Sequence, residues 1–204
     1  ATPTTQNYTG LYSSAASDVY KRQHPTQAMA DIYTILKAHP GLAEPESMPD
    51  EKKIRIGIIG VPGRMRTIRS LLLYLSLFSA GIKEVVIISD DSDVFSDGQQ
   101  QELEKNGLYL SVTDNLDKEL PSLDVVYINT IAWVSDSYEE HGKNYRLNSD
   151  SPLKEGAIIL HPLARAAELD RSLDNTPFNW YLAQARGAVF VRMSLLSAIL
   201  KSFS

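Results

Sequence analysis

Cysteine is absent from this chain of 204 residues, which therefore forms neither disulfide bonds nor thiolate metal sites. Only four histidines occur, and no two have the spacing of a metal-binding pair, so we predict no metal site. Basic residues are outnumbered, and the net charge of −5 disfavours a broad nucleic-acid surface. The longest apolar run, Leu71 to Phe78, is too short to cross a bilayer, so we expect no membrane association and a cytoplasmic protein.

The composition otherwise suits a compact domain, since 43% hydrophobic and 22% charged residues are ordinary values for globular proteins. Residues 1–23 differ from the rest, because they are rich in Thr, Ser and Ala and carry no sustained periodicity. Residues 11–23, LYSSAASDVYKRQ, resemble the conceptual translation of a sequencing adaptor; a disordered tail or a displaced strand–helix fragment is the alternative. We therefore expect residues 1–23 to be non-native or disordered and residues 24–204 to form the folded domain.

Short apolar runs alternate with helical patterns along the rest of the chain. The predicted strands are Ile54 to Ile59, Val85 to Ile88, Leu108 to Val112, Asp124 to Ile128 and Ala157 to Leu160. Their apolar residues are continuous rather than alternating, as in strands buried on both faces. The pattern predicts an α/β fold, with a doubly wound, mostly parallel five-stranded sheet and helices on both faces, similar to a Rossmann fold.

The helical patterns separate these strands and also close the chain. We predict helices from His24 to a turn at His39, from Arg66 to Ala80, and from Asp97 to Lys105. Residues 41–53 and 132–152 lack periodicity; the second stretch predicts a long, mobile and functional loop. The terminal helix has one continuous apolar face, formed by Val189, Met193, Leu196, Leu200 and Phe203.

Polar side chains follow three of the predicted strands. They are Arg64, Arg66 and Thr67 after the first, Asn129 and Thr130 after the fourth, and His161 to Arg165 after the fifth. In a doubly wound sheet these three strand ends face one crevice, where ligands bind. A guanidinium binds a carboxylate through two parallel hydrogen bonds, so Arg66 suits an amino-acid substrate. The alternative is a solvated or helix-capping arginine.

The glycines Gly57, Gly60 and Gly63 raise a competing hypothesis, because dinucleotide-binding folds also place glycines after their first strand. An acidic residue at the end of the second strand, Asp90 or Asp91, would complete that pattern. The spacing disfavours it, since Gly57 lies inside the strand and G-x-G-x-x-G is not present.

Two separated motifs carry a family resemblance. HPLAR at His161 to Arg165, followed by DNTPFNWY and then VFVRMSLL, resembles the C-terminal end of aspartate carbamoyltransferases. HPTQAMADIYTI, at His24 to Ile35, resembles the HPTQ helix of the same family. The resemblance covers residues 24–203 and implies the C-terminal, amino-acid-binding half of an enzyme of the aspartate/ornithine carbamoyltransferase superfamily. It implies transfer of a carbamoyl group from carbamoyl phosphate to aspartate in pyrimidine biosynthesis, with no cofactor and in a homotrimer.

The resemblance also assigns roles to residues. His24 and Gln27 lie at i and i+3 on an electropositive helix start and would contact the carbamoyl group, although a histidine beside proline is often structural. Arg66 and Thr67 match the pair whose arginine holds the acceptor's α-carboxylate. Backbone carbonyls of Pro162 and Leu163 would contact the carbamoyl group. Arg165 would help to bind substrate, or with Glu168 organise the site, and contact of the His161 side chain with substrate stays open.

Two departures from the family pattern bear on substrate. The family's T-R-x-Q after the fourth strand is replaced by Asn129-Thr130-Ile131-Ala132, so the arginine that grips the aspartate side chain is missing. Thr130 and Ala132 then become candidate specificity residues, and Lys143, Arg146 or Arg64 become candidate replacement cations. Ala164 occupies the position of a proline that is usually cis, and since a non-proline cis bond costs about 3 kcal/mol, a trans loop is expected.

Nothing in the chain matches the N-terminal domain that binds carbamoyl phosphate in the family, so the chain alone is expected to be inactive. Three alternatives remain open: a carbamoyltransferase with a different amino-acid acceptor, a non-catalytic homologue that binds a metabolite, and the disfavoured nucleotide-binding domain.

Overall fold

The computed structural model describes residues 24–129 and 145–202. The strands are β1 (Ile54–Ile59), β2 (Ile82–Ile88), β3 (Leu110–Thr113), β4 (Val125–Ile128) and β5 (Ile158–Leu160). The α-helices are α1 (Pro25–Ala38), α2 (Arg66–Leu75), α3 (Gln99–Lys105), α4 (Leu116–Glu119) and α5 (Tyr181–Lys201). Short 3₁₀ helices lie in the connections, at Pro40–Ala43, Pro45–Ser47, Asp50–Lys52, Ser76–Gly81, Leu120–Ser122 and Arg171–Leu173.

The five strands form one sheet in the order β3-β2-β1-β4-β5, and every pairing is parallel. This arrangement confirms the predicted doubly wound α/β fold. The chain runs outward from β1 to β3 and then returns to the other side of β1 to continue with β4. The strand order therefore reverses between β1 and β4, and this switch point opens a crevice at the carboxyl ends of the strands.

Hydrophobic clusters cover both faces of the sheet, as the continuous apolar strands predicted. One cluster joins Ile56 and Ile58 of β1 to Ile32 and Ile35 of α1 and to the apolar face of α2. The other joins Ile59 of β1 to residues that include Leu169, Leu173 and Tyr181. Successive side chains of a strand point to opposite faces, so each strand contributes to both clusters.

Most differences from the predicted bounds lie at the ends of elements. β3 begins at Leu110 rather than Leu108, because the Leu108 N–H donates to the Leu103 carbonyl and so closes the end of α3. The α-helical part of the second predicted helix ends at Leu75, and a 3₁₀ helix completes it to Gly81. Residues 41–53, predicted as a loop, contain 3₁₀ turns.

Gly63 lies in the turn after β1, where the chain packs against its own backbone. A Cβ atom at Gly63 would lie 2.6 Å from the Ser96 nitrogen and 2.8 Å from the Phe95 carbonyl carbon. Inside β1, a Cβ atom at Gly57 would lie 2.3 Å from Leu123 Cδ1. Both glycines therefore allow close packing within the protein, which removes the main support for the dinucleotide hypothesis.

Gly63→Ala is expected to lower the free energy of unfolding by about 1–3 kcal/mol, because the methyl group meets backbone rather than a flexible side chain. Urea denaturation measures this change. Gly41→Ala is the matched control, since its Cβ would meet only Met48 atoms at 3.8 Å or more, and we expect a change within about 0.5 kcal/mol. Equal midpoints for the two variants would contradict the close packing at Gly63.

The terminal helix is buried along only part of its length. Its buried residues are Tyr181, Gln184, Gly187 and Ala188, all in its first part. The predicted apolar face is solvent-exposed instead: Val189, Met193, Leu196 and Leu200 are 54–70% exposed, and Phe203 lies outside the described residues. Within residues 24–129 and 145–202, nothing covers this face.

α5 is also the one helix of the described residues that is long and apolar enough to span a bilayer. Core helices of soluble proteins can have the same length and apolar composition.

Candidate active site

The switch point brings together residues that follow β1 and β4. The side-chain amide of Asn129, directly after β4, donates to Thr67 Oγ1 in the first turn of α2 at 2.8 Å. The predicted meeting of these two strand ends is therefore present, and a direct hydrogen bond joins them.

The start of α1 is also anchored to α2. The His24 N–H donates to Ser70 Oγ at 2.8 Å, and the Ser70 hydroxyl donates to the Arg66 carbonyl at 3.1 Å. This arrangement brings the backbone of His24 close to Arg66, although the two residues come from separate sequence motifs. Ser70 is buried and was not singled out from the sequence, because a serine within an apolar helix gives no signal of its own.

Arg66 differs from the other arginines of this region in its partners. Arg64 forms an ion pair with Asp91 at 2.9 Å, and Arg69 donates to Ser96 Oγ. The guanidinium of Arg66 is exposed and has no ion pair with any carboxylate of the described residues. A cation at the switch point without a counter-charge among the described residues is suited to an anionic ligand.

Gln27 projects from the first turn of α1 and is held by a buried carboxylate. Its Nε2 donates to Asp31 Oδ1 at 2.7 Å. Asp31 also accepts from the Tyr127 hydroxyl at 3.1 Å and from Gln184 Nε2 at 2.6 Å. Burial of Asp31 raises its pKa to about 6, and the three hydrogen bonds oppose that rise.

The loop after β5 is fixed by His161, which is 1% exposed. The Leu163 N–H donates to His161 Nδ1 at 2.9 Å, so the other ring nitrogen, Nε2, carries the proton and donates to Glu168 Oε1 at 2.9 Å. Burial acts to raise the pKa of Glu168, but hydrogen bonds from His161 and the Ala166 N–H prevail and lower it to about 2. The His161 side chain therefore shapes the loop, and both of its ring nitrogens have partners within the protein.

Arg165 stabilises the far end of this loop. Its guanidinium binds both carboxylate oxygens of Asp174, with 2.7 Å between Nη2 and Oδ2, and the Tyr181 hydroxyl donates to Asp174 Oδ1 at 2.5 Å. The hydrogen bond from Arg165 is the main reason that the pKa of Asp174 falls to about 2. This geometry favours the organising role for Arg165 over direct binding of substrate.

Pro162 and Leu163 lie between His161 and Arg165, at the crevice end of β5. Pro162 is half-buried and Leu163 is 40% exposed. The Leu163–Ala164 peptide bond is cis, and Leu163 has a positive φ of 56°. The expectation of a trans loop is therefore wrong. The hydrogen bond from the Leu163 N–H to His161 and the ion pair of Arg165 lie on either side of this peptide.

The candidate replacement cations and specificity residues are only partly described. Thr130, Ala132 and Lys143 lie outside the described residues. Arg146 is half-exposed and forms an ion pair with Asp170. Both described candidates, Arg64 and Arg146, are thus already paired with carboxylates. No cluster of three or more metal-binding side chains occurs in the described part of the chain.

The open parallel sheet, with Arg66 at its switch point, defines a domain of the doubly wound α/β class, which binds ligands at such points. Residues 52–199 match the family model for the aspartate/ornithine carbamoyltransferase Asp/Orn binding domain. The chain belongs to this family.

Named relatives and solved structures agree with this assignment. The chain is 33% identical over 185 residues to the aspartate carbamoyltransferase catalytic subunit of Methanoculleus marisnigri, covering 88% of this chain and 58% of the relative. It is 32% identical over 184 residues to the corresponding subunit of Ignicoccus hospitalis, covering 87% and 56%. Aspartate transcarbamoylase from Trypanosoma cruzi, in complex with carbamoyl phosphate and aspartate, superposes with a TM-score of 0.73 at 27% identity. That match covers 85% of this chain and 54% of the other.

The fold also matches the catalytic subunit of M. jannaschii aspartate transcarbamoylase, with a TM-score of 0.74 at 24% identity, covering 89% of this chain and 57% of that one. The chain therefore spans little more than half the length of the relatives that it matches.

Proposed function

We propose that this chain binds the acceptor amino acid in a carbamoyltransferase that carbamoylates the α-amine of aspartate. The observation that carries the proposal is Arg66, an exposed guanidinium without a carboxylate partner in the described residues, at the switch point and beside the start of α1. The relatives named as aspartate carbamoyltransferases, and the solved structure that contains carbamoyl phosphate and aspartate, support the choice of substrates.

In this reaction the aspartate amine attacks the carbonyl carbon of carbamoyl phosphate. A C–N bond forms, the carbonyl oxygen becomes an oxyanion, and the C–O bond to phosphate then breaks as the amine loses a proton. Arg66 would hold the α-carboxylate in place for attack. His24 and Gln27, at the electropositive start of α1, would contact the carbamoyl group, and His24 would stabilise its developing charge. The carbonyls of Pro162 and Leu163 would bind the NH₂ of the carbamoyl group.

The rest of the enzyme belongs to the same proposal. Residues 24–204 would form the acceptor-binding domain, and the carbamoyl phosphate domain would belong to a longer protein that contains this chain. The expectation for residues 1–23 lies outside the described residues. Assembly into a homotrimer and a cytoplasmic location follow from the family resemblance, and the name "catalytic subunit" of the relatives supports a multimeric enzyme. Light scattering of the complete protein measures the oligomeric state.

The direct test uses the complete gene product, recovered from the source DNA, with carbamoyl phosphate and aspartate. We expect release of phosphate and formation of N-carbamoylaspartate in equal amounts. If neither product forms with aspartate or with any other amino acid, the enzyme proposal fails and a metabolite-binding homologue replaces it.

A second candidate is transfer to an amino acid without a side-chain carboxylate. It is favoured by the loss of T-R-x-Q and by the ion pairs that occupy Arg64 and Arg146, the two described candidates for the missing cation. A panel of acceptors decides between the candidates: faster turnover of a neutral or basic amino acid than of aspartate would favour the second.

A further inference from the structure

Asp31 is the centre of a buried hydrogen-bond network that none of the proposed catalytic steps uses. It is fully buried on α1, four residues after Gln27, and it contacts side chains from three different elements. These are Gln27 of α1, Tyr127 of β4 and Gln184 of α5. Burying a carboxylate is costly unless its oxygens are well paired, so this site must depend on these hydrogen bonds.

The orientation of Gln184 follows from an unambiguous partner. The backbone N–H of His161 can only donate, and it points at Gln184 Oε1 at 2.8 Å. The opposite end of the Gln184 amide, Nε2, therefore faces Asp31 Oδ1 and donates to it at 2.6 Å. Asp31 Oδ1 must act as an acceptor, and through Gln184 the carboxylate also holds the first residue of the loop after β5.

The same oxygen determines the orientation of Gln27. Because Oδ1 is an acceptor, the Gln27 amide must turn its NH₂ group inward, where Nε2 lies 2.7 Å from Oδ1. The carbonyl oxygen of Gln27 is then left on the opposite side. Gln27 is only partly buried, and within residues 24–129 and 145–202 its Oε1 has no hydrogen-bond partner. It is therefore available to a ligand that donates.

We propose that Asp31 is a positioning residue that turns the carbonyl oxygen of Gln27 toward the crevice and so selects a transferred group that carries N–H donors. The proposal deepens the carbamoyl-transfer function proposed above and rests on it. A carbamoyl group has an NH₂ that can donate to Gln27 Oε1. An acetyl group has the same shape with a methyl in that place and gains nothing from the contact. One buried carboxylate would thus orient Gln27 directly and, through Gln184, the loop that carries Pro162 and Leu163.

The electrostatic surroundings agree with this role. The groups that face Asp31 are the amides of Gln27 and Gln184, the phenol of Tyr127 and, at longer range, the positive charge of Arg192 on α5. All three hydrogen-bond partners donate, and the ionised carboxylate accepts from each of them. Since burial raises the pKa of Asp31 to about 6, its protonation below that value changes the charge beside the Gln27 amide. The orientation of Gln27 should persist, because Oδ1 still accepts and Tyr127 can accept the new proton.

The first test compares two phosphorylated donors in the complete enzyme, carbamoyl phosphate and acetyl phosphate. Asp31→Ala removes the acceptor, and we expect kcat/KM to fall about 100-fold with carbamoyl phosphate but tenfold or less with acetyl phosphate. Asp31→Asn keeps an acceptor oxygen, because Tyr127 can accept from the new amide, and should restore the wild-type ratio of the two donors to within about threefold. Tyr127→Phe leaves the Gln27 contact intact and should not change that ratio. Equal losses with both donors in Asp31→Ala would show a purely structural role and overturn the proposal.

The second test needs no catalytic activity. In the ¹⁵N-labelled chain, the side-chain amide signals of Gln27, assigned with Gln27→Ala, are expected to shift with pH around a midpoint near 6 and to stop titrating in Asp31→Asn. Signals that do not titrate in the wild type, or that titrate equally in the variant, would overturn the role of Asp31. Absence of carbamoyl transfer by the wild-type enzyme would instead defeat the proposed function, so the two failures are distinct.

Discussion

Arg66→Gln in the complete enzyme is expected to lower kcat/KM for the acceptor by about 10²–10³-fold. The reason is the loss of a bidentate, charge-assisted pair with the α-carboxylate, worth about 3–4 kcal/mol, and each 1.36 kcal/mol corresponds to a factor of ten. Arg66 has no ion pair with a carboxylate of the described residues, so its removal should leave no buried charge behind and should not change the thermal midpoint. Steady-state kinetics with the acceptor varied at saturating carbamoyl phosphate measure the effect.

Arg186→Gln provides the matched control, since Arg186 is an exposed arginine on α5 away from the switch point. We expect its kcat/KM to stay within about twofold of the wild type. Acceptor kinetics that are unchanged in Arg66→Gln would remove the observation on which the proposed function depends. Loss of activity in both variants would point to a general effect of surface charge.

Glu168→Ala is expected to lower the free energy of unfolding by about 1–3 kcal/mol, because it leaves the buried Nε2–H of the His161 ring without its acceptor. The Ala166 N–H loses its partner in the same change. The loop that carries Pro162 and Leu163 should loosen as well, so the complete enzyme should lose activity together with stability. Urea denaturation of the chain measures the first effect, and Glu102→Ala, an exposed glutamate on α3, is the control with no expected change.

The contribution of Glu168 should also depend on pH in a defined direction. Its folded pKa is lowered to about 2 from an ordinary 4.5, so the stabilisation is fully present above about pH 5 and is lost as the pH falls toward 2. The difference between the wild type and Glu168→Ala should therefore shrink over that interval. A difference that stays constant from pH 5 to pH 2.5 would contradict the hydrogen bond between His161 and the ionised Glu168.

The bounds of β1 agree with the prediction because Lys53 and Gly60 bracket one apolar run, which leaves little freedom for its ends. Apolar periodicity could not separate an α-helix from a 3₁₀ helix, so the change at Ser76 was not foreseen. It also could not show which apolar face meets the core. Small residues of α5, such as Gly187 and Ala188, allow close approach and are buried, while Val189 and Met193 remain exposed.

The position of a candidate residue was predictable where a motif follows a strand, as for Arg66 at the start of α2 and Leu163 after β5. Partners distant in sequence carried no such signal. Nothing near Arg165 points to Asp174, and nothing near Gln27 points to Gln184. Asp31 could have been recognised from the sequence as a buried polar residue, since it lies between Ala30 and Ile32 and interrupts an otherwise apolar helix face.

The hydrogen bond between Asp31 and Gln184 spans 153 positions of the chain, whereas β1 and β2 pair across a short connection. Closing so long a segment costs more conformational entropy, and contacts of high sequence separation form late in folding. We therefore expect the sheet to assemble first and the docking of α1 against α5 to complete the molecule. The contact between α1 and α5 should also be the first to open in the native state. Ligand binding should therefore be lost on mild denaturation before the strands exchange their amide hydrogens.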